Sequence, residues 1–167
     1  MAKIINEKRI DQIIIFLKSL NIRSERFSKI LTTNENISII QDFNQALIHS
    51  SDDNEINYEK LEFFGDAVLR LAATNFIDQK YANMCVGDRS KLRSEIVSDE
   101  WLNQIGKKID IESMIIKGPE AIGDKNSGDT IIAEATEALI GAIYKCCLLY
   151  TSPSPRDISG SRMPSSA

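Results

Sequence analysis

Two short stretches of this chain place carboxylates at spacings that could do chemistry. In Asn57-Tyr58-Glu59-Lys60-Leu61-Glu62-Phe63-Phe64-Gly65-Asp66-Ala67-Val68-Leu69, the acids fall at i, i+3 and i+7. On a helix turning about 100° per residue, Glu59, Glu62 and Asp66 share an arc of roughly 60°. Leu61, Phe64, Val68 and Leu71 then lie on the other side as a core stripe. Like charges at helical spacing repel by a few tenths of a kcal/mol per pair, and only Arg70 stands nearby to offset three of them. For one acidic helix, a solvated surface face accounts for this.

A second stretch weakens that account. In Ile131-Ile132-Ala133-Glu134-Ala135-Thr136-Glu137-Ala138-Leu139-Ile140-Gly141, Glu134 and Glu137 share one face of an otherwise apolar, Ala-rich segment. Gly141 falls on that acidic face and would let another backbone approach closely. Two such helices can pack so that their acids converge. A knot of carboxylate oxygens suits a hard divalent cation, Mg²⁺ or Mn²⁺. Such an ion activates water and stabilises the charge that develops in phosphoryl displacement.

The elements that must position these acids read as helices throughout, so the fold class expected is all-α. Ile10, Ile13, Ile14, Leu17 and Leu20 recur at helical spacing. Ile39, Ile40, Phe43, Leu47 and Ile48 make a second apolar stripe, and 50–57 reads as a loop. A long helix is expected from Tyr58 to about Tyr81. Gly87-Asp88 reads as a break and cap opening a basic helix through Val97, followed by a helix carrying Trp101, Leu102, Ile105 and Ile109. Lys117–Gly128, with three glycines and Pro119, is expected to be an irregular loop, and the last helix runs from Asp129 to about Lys145. Neither a period-2 strand pattern nor an internal repeat is present.

Composition excludes more than it selects. The 167 residues are 43% hydrophobic and 26% charged, about one globular domain. No apolar run approaches the ~20 residues that span a bilayer, so no membrane partner is expected. One histidine and three cysteines without metal-type spacing argue against a zinc site or a Ser-His-Asp triad. Cys85, Cys146 and Cys147 read as free thiols in a reducing compartment, and Cys85 as inert. A net charge of −4 disfavours a nucleic-acid partner unless metal neutralises the acids and positive charge is concentrated locally. Arg89, Lys91 and Arg93, with Lys117 and Lys125, are candidates for phosphate contact; a solvated helix face is the alternative. His49 is expected to be structural and Trp101 to be core. Thr151–Ala167 is Ser/Pro-rich, is expected to be disordered, and looks like sequencing-adapter read-through. The domain expected is therefore 1–148, followed by a non-native tail over 149–167.

Glu59–Leu69 resembles the signature of the ribonuclease III family, normally written ERLEFLGDAVL, with the acids, Phe, Gly and Asp in register. Ala46–Ser51 resembles the family's ALTHxS stretch, Val86–Arg93 its EGxLSxLR segment, and Ile132–Gly141 its LADTVEALIG signature. The likeness covers roughly residues 5–145. It implies the family's helical endonuclease-domain fold, here without its last helix and without a double-stranded-RNA-binding domain. It also implies a Mg²⁺-dependent endoribonuclease (Mn²⁺ being the alternative ion) that leaves 5′-phosphate and 3′-hydroxyl ends on double-stranded RNA in rRNA or mRNA processing. Carried over by residue, Glu62, Glu134 and Glu137 match metal ligands, Asp66 and Glu137 match the positions named catalytic, and Glu59 matches a supporting acid. Phe63 falls beside the acids on the wheel, as a partly covered surface residue or an interface anchor; the resemblance implies that it seats in a partner subunit of a homodimer. The expected compartment is a bacterial cytoplasm or a plastid stroma. Two departures stand out: Glu134 replaces the usual Asp, and Val86 a common acid. A weakly active or inactive domain acting as an RNA-binding or ribosome-associated scaffold is the main alternative; an unrelated all-α metallophosphohydrolase is a more distant one.

Overall fold

The computed structural model describes residues 5–32, 37–53, 55–122 and 127–147. The expected tail over 149–167 and the candidate Lys125 lie outside the described residues. Helices α1 (Glu7–Ser19), α2 (Glu25–Ile30), α3 (Ile37–Gln45), α4 (Glu59–Lys80), α5 (Val86–Ile96), α6 (Asp99–Lys108), α7 (Pro119–Ile122) and α8 (Gly128–Cys147) follow in order, with a 3₁₀ turn at Ile111–Met114. No strand occurs among the described residues; one isolated parallel bridge joins Ile48 to Ile116. The all-α expectation therefore holds.

Side chains that cap backbone N–H groups set several helix starts. Asn6 Oδ1 accepts from the Arg9 amide at 2.8 Å, Ser24 Oγ from Phe27 at 3.3 Å, and Ser98 Oγ from Trp101 at 3.3 Å. Asn57 Oδ1 accepts from the Glu59 amide at 3.0 Å at the mouth of α4. Glu59 and Glu62 then occupy the first turn, where the positive end of the helix dipole favours acids.

Helix α8 is the central element. Ile131, Ile132, Ala135, Ala138, Leu139, Ala142 and Cys146 pack into one apolar cluster with α1, α2 and α3. Ala133 joins a second cluster with Leu69, Ala73, Val97 and Leu102 from α4, the end of α5, and α6. A helix apolar on nearly all sides is one that is buried on nearly all sides.

The core stripe of α4 differs from the expected one. The buried positions are Leu61, Gly65, Leu69, Ala73 and Ile77, a strict i, i+4 row, whereas Leu71 is 54% exposed. A wheel weighted by side-chain hydrophobicity selects Phe64, Val68 and Leu71, but close helix packing favours the small Gly65 and Ala73. Glu62 and Asp66 consequently flank the packed row instead of facing away from it. Three smaller differences follow from local causes. Helix α2, which the spacing of apolar residues does not announce, has six residues, too few to display a period. Helix α5 begins at Val86, so Gly87 and Asp88 lie inside its first turn. Within the expected 117–128 loop, Pro119–Ile122 forms one helical turn. Trp101, expected in the core, is 38% exposed, because Leu102 and Gly106 take the buried face of α6.

Candidate active site

Helices α4 and α8 touch backbone to backbone at two glycines. A Cβ built on Gly65 would lie 1.9 Å from the Glu137 carbonyl oxygen, and one on Gly141 would lie 2.5 Å from the Leu61 carbonyl oxygen. Only residues without a Cβ permit this approach. Glu62 and Asp66 adjoin Gly65, and Glu134 and Glu137 lie two turns and one turn before Gly141 respectively, so the crossing brings both acid pairs to one place. All four are half-buried, and Glu59 is exposed beyond them.

Electrostatics register the crowding. Burial pushes the Glu137 carboxyl up to about 7, with Asp66, Glu62 and Asp99 adding to the shift and Arg70 partly offsetting it. Glu62 is raised by burial first, then by Glu134, Glu59, Asp99 and Asp66. Asp66 is the one acid of the group with a cationic partner in hand: Arg70 Nε donates to its two oxygens at 2.7 and 2.9 Å, one turn along α4. Glu134 accepts a hydrogen bond from the Tyr58 hydroxyl at 2.5 Å.

The donor set is all carboxylate oxygen, mutually repelling and partly withdrawn from water, and this is the chemistry a hard divalent cation relieves. In their present rotamers the acids do not converge far enough to coordinate one. Among the described residues, no group of three or more His, Cys, Asp or Glu side chains stands in an arrangement that could hold a metal ion. Asp66 has both oxygens taken by Arg70, and Glu134 has one oxygen bonded to Tyr58. The residue types and their placement fit a metal; the rotamers seen here are those of two acids satisfied by protein donors.

Two residues of this neighbourhood carry no signal in the sequence. Asp99 looks like an ordinary first-turn acid after the Ser98 cap. Tyr58 looks like the start of a helix, and nothing local links it to Glu134, 76 positions away.

The basic candidates separate. Arg89 is spent on the α4–α5 connection: its Nε donates to the Met84 carbonyl at 2.8 Å, one Nη to the Ala82 carbonyl at 2.6 Å, and the other pairs with Asp78. Lys91 is exposed on α5. Arg93 donates to Thr74 Oγ1 at 3.2 Å. Lys117 pairs with Glu112 at 3.2 Å. Phe63, beside the acids, is 84% exposed. His49 is structural in its contacts, as expected, with Nδ1 facing Ser51. The three cysteines are free thiols; Cys85 is exposed and Cys146 buried. No helix among the described residues is long and apolar enough to cross a membrane.

An all-α domain with paired acids on two crossing helices has counterparts among known proteins. The family described as Ribonuclease-III-like matches residues 41–146, and the chain belongs to that family. It is 42% identical over 146 residues to a protein named Ribonuclease 3 from Prochlorococcus marinus, covering 87% of this chain and 58% of that one. It is 41% identical over 133 residues to Ribonuclease 3 of Borreliella afzelii, covering 72% of this chain and 54% of that one. The chain thus spans a little over half the length of these curated relatives. Among solved structures, the nuclease domain of the Campylobacter jejuni ribonuclease III matches with a TM-score of 0.62 at 26% identity, over 83% of this chain and 85% of that one. That nuclease domain is structurally flexible in a region involved in dimer formation.

Proposed function

We propose that this chain carries the catalytic centre of a Mg²⁺-dependent endoribonuclease that cleaves double-stranded RNA to 5′-phosphate and 3′-hydroxyl ends. The observation that carries the reading is the Gly65–Gly141 crossing, which gathers Glu62, Asp66, Glu134 and Glu137 from two helices of a chain in this family. Glu62, Glu134 and Glu137 are the residues that would hold Mg²⁺ (or Mn²⁺), with Asp66 and Glu137 nearest the chemistry and Glu59 a supporting acid at the rim. Bound there, the ion supplies an activated water and neutralises charge developing on the phosphate.

The chain's own residues contribute placement. The half-buried Glu137, raised by burial and by its acidic neighbours, is the carboxylate whose charged form a bound cation would favour most. Arg70 holds Asp66 at the open edge of the site. Lys91 and Arg93 on α5 are the described side chains assigned to RNA phosphates, with Arg89 shaping the loop behind them. Phe63 projects from the acid face as the anchor of a homodimer, a setting in which two sites act on opposite strands. Precursor rRNA and mRNA are the substrates this reading favours, in a bacterial cytoplasm or plastid stroma.

One observation favours the alternative of a weakly active scaffold: both oxygens of Asp66 are already engaged by Arg70. Incubation with a long RNA duplex separates the two readings. The nuclease reading expects Mg²⁺-dependent cleavage that disappears in Asp66→Asn. Cleavage surviving that substitution, or none from a folded dimeric parent, overturns it.

A further inference from the structure

Tyr58 is 2% exposed, yet it is the residue whose hydroxyl reaches Glu134 at 2.5 Å. Its ring is fixed from behind. The His49 imidazole packs edge-on against it with centroids 5.5 Å apart, and the Tyr58 amide donates to the Ile48 carbonyl at 2.9 Å. His49 is itself held: its Nδ1 lies 2.7 Å from Ser51 Oγ and accepts from the Ser51 amide at 3.1 Å. Ser51 Oγ accepts from the Gly118 amide at 2.9 Å, and the Ile48–Ile116 bridge ties the same two segments. The 47–51 stretch thus forms a bracket whose outward product is one aimed phenol.

We propose that Tyr58 is a positioning residue for Glu134, holding one carboxylate oxygen so that the other is presented to a divalent cation, with His49 and Ser51 as its support. The inference rests on the metal-dependent nuclease reading. Its physical basis is that a buried ring with few rotamers can orient a flexible Glu, whose free side chain would lose entropy on binding metal. The length of the side chain is matched to the partner. Asp at 134 would stop about 1.5 Å short of the phenol, one C–C bond, beyond hydrogen-bond reach. Tyr58 therefore matters only when Glu stands at 134.

The test is Mn²⁺ titration of the full chain, followed by electron paramagnetic resonance without RNA, for the parent, Tyr58→Phe, Glu134→Asp and the double variant. Circular dichroism and melting temperature serve as fold controls. The expected result is Mn²⁺ binding weakened about tenfold by Tyr58→Phe, at the low end for loss of a ligand's hydrogen-bond partner. In the Glu134→Asp background the same change should have no effect. Unchanged affinity in Tyr58→Phe, or an equal loss in both backgrounds, overturns the inference while leaving the nuclease reading standing. A folded parent that binds no Mn²⁺ overturns both. If Tyr58→Phe does not fold, the ¹³Cζ resonance of Tyr58 in the parent decides the matter, assigned by substituting the other tyrosines in turn. It should move saturably with added Mg²⁺, and a stationary resonance refutes the positioning role.

Discussion

Replacing Gly65 by Ala adds one methyl group at the point where the site is assembled. That methyl would sit 1.9 Å from the Glu137 carbonyl oxygen, 2.7 Å from its carbon and 3.2 Å from the Gly141 nitrogen. All three atoms are backbone, so no side chain can turn away, and α4 and α8 must separate by an ångström or more. Overpacking of this kind costs about 1–3 kcal/mol, while Ala recovers up to ~1 kcal/mol over Gly in helix propensity. The net expected is a loss of about 1–2 kcal/mol, a melting temperature lower by about 2–8 °C for a chain of this size. Gly87→Ala is the internal control. It lies on exposed α5 with nothing nearer than the Cys85 sulfur at 4.0 Å, and should be neutral or slightly stabilising. Separating the helices also separates Glu62 and Asp66 from Glu134 and Glu137. A misplacement of about 1 Å is enough for a loss on the order of 100-fold in rate. Thermal and urea unfolding of both variants, with duplex cleavage measured well below the melting temperature, checks both effects. Gly65→Ala matching Gly87→Ala in stability would refute the close-crossing account.

Other outcomes follow from the same geometry. Glu137 is raised in the folded chain to about 7 from an ordinary 4.5, so folding favours its protonated form. The stability this contributes is fully present below about pH 4.5 and is lost as pH rises through 7. Discounted for partial exposure it amounts to ~1–2 kcal/mol, and in metal-free buffer Glu137→Gln should flatten the decline of melting temperature between pH 5 and 8. Phe63→Ala should shift sedimentation from dimer to monomer with the melting temperature of the folded unit little changed; a persistent dimer removes Phe63 as the anchor. Arg89→Ala should cost about 1–2 kcal/mol of stability through the lost carbonyl bonds. Lys91→Ala should leave stability alone and reduce the salt slope of RNA binding by about one. Filter binding at several salt concentrations distinguishes the two.

The sequence by itself determined what depends on near neighbours. Helices α4 and α8 and the grouping of acids on each follow from spacings of three or four residues. The close approach at Gly141 was legible too, because a glycine on the acidic face of an apolar helix has few other uses. Tertiary structure decided the rest. Whether Leu71 or Gly65 belongs to the core depends on how near α8 comes, which side-chain hydrophobicity does not encode. Arg89 could have faced RNA; the carbonyls of Ala82 and Met84 claim it only once the α4–α5 connection has turned back. The acids of α4 and α8 lie some seventy residues apart, and neither set alone makes a site. They become a site because two glycines let the backbones touch, which partly excludes water and raises the cost of like charge. Tyr58 and Glu134 are 76 positions apart, and packing around His49, with no local pattern to announce it, sets the hydroxyl against the carboxylate.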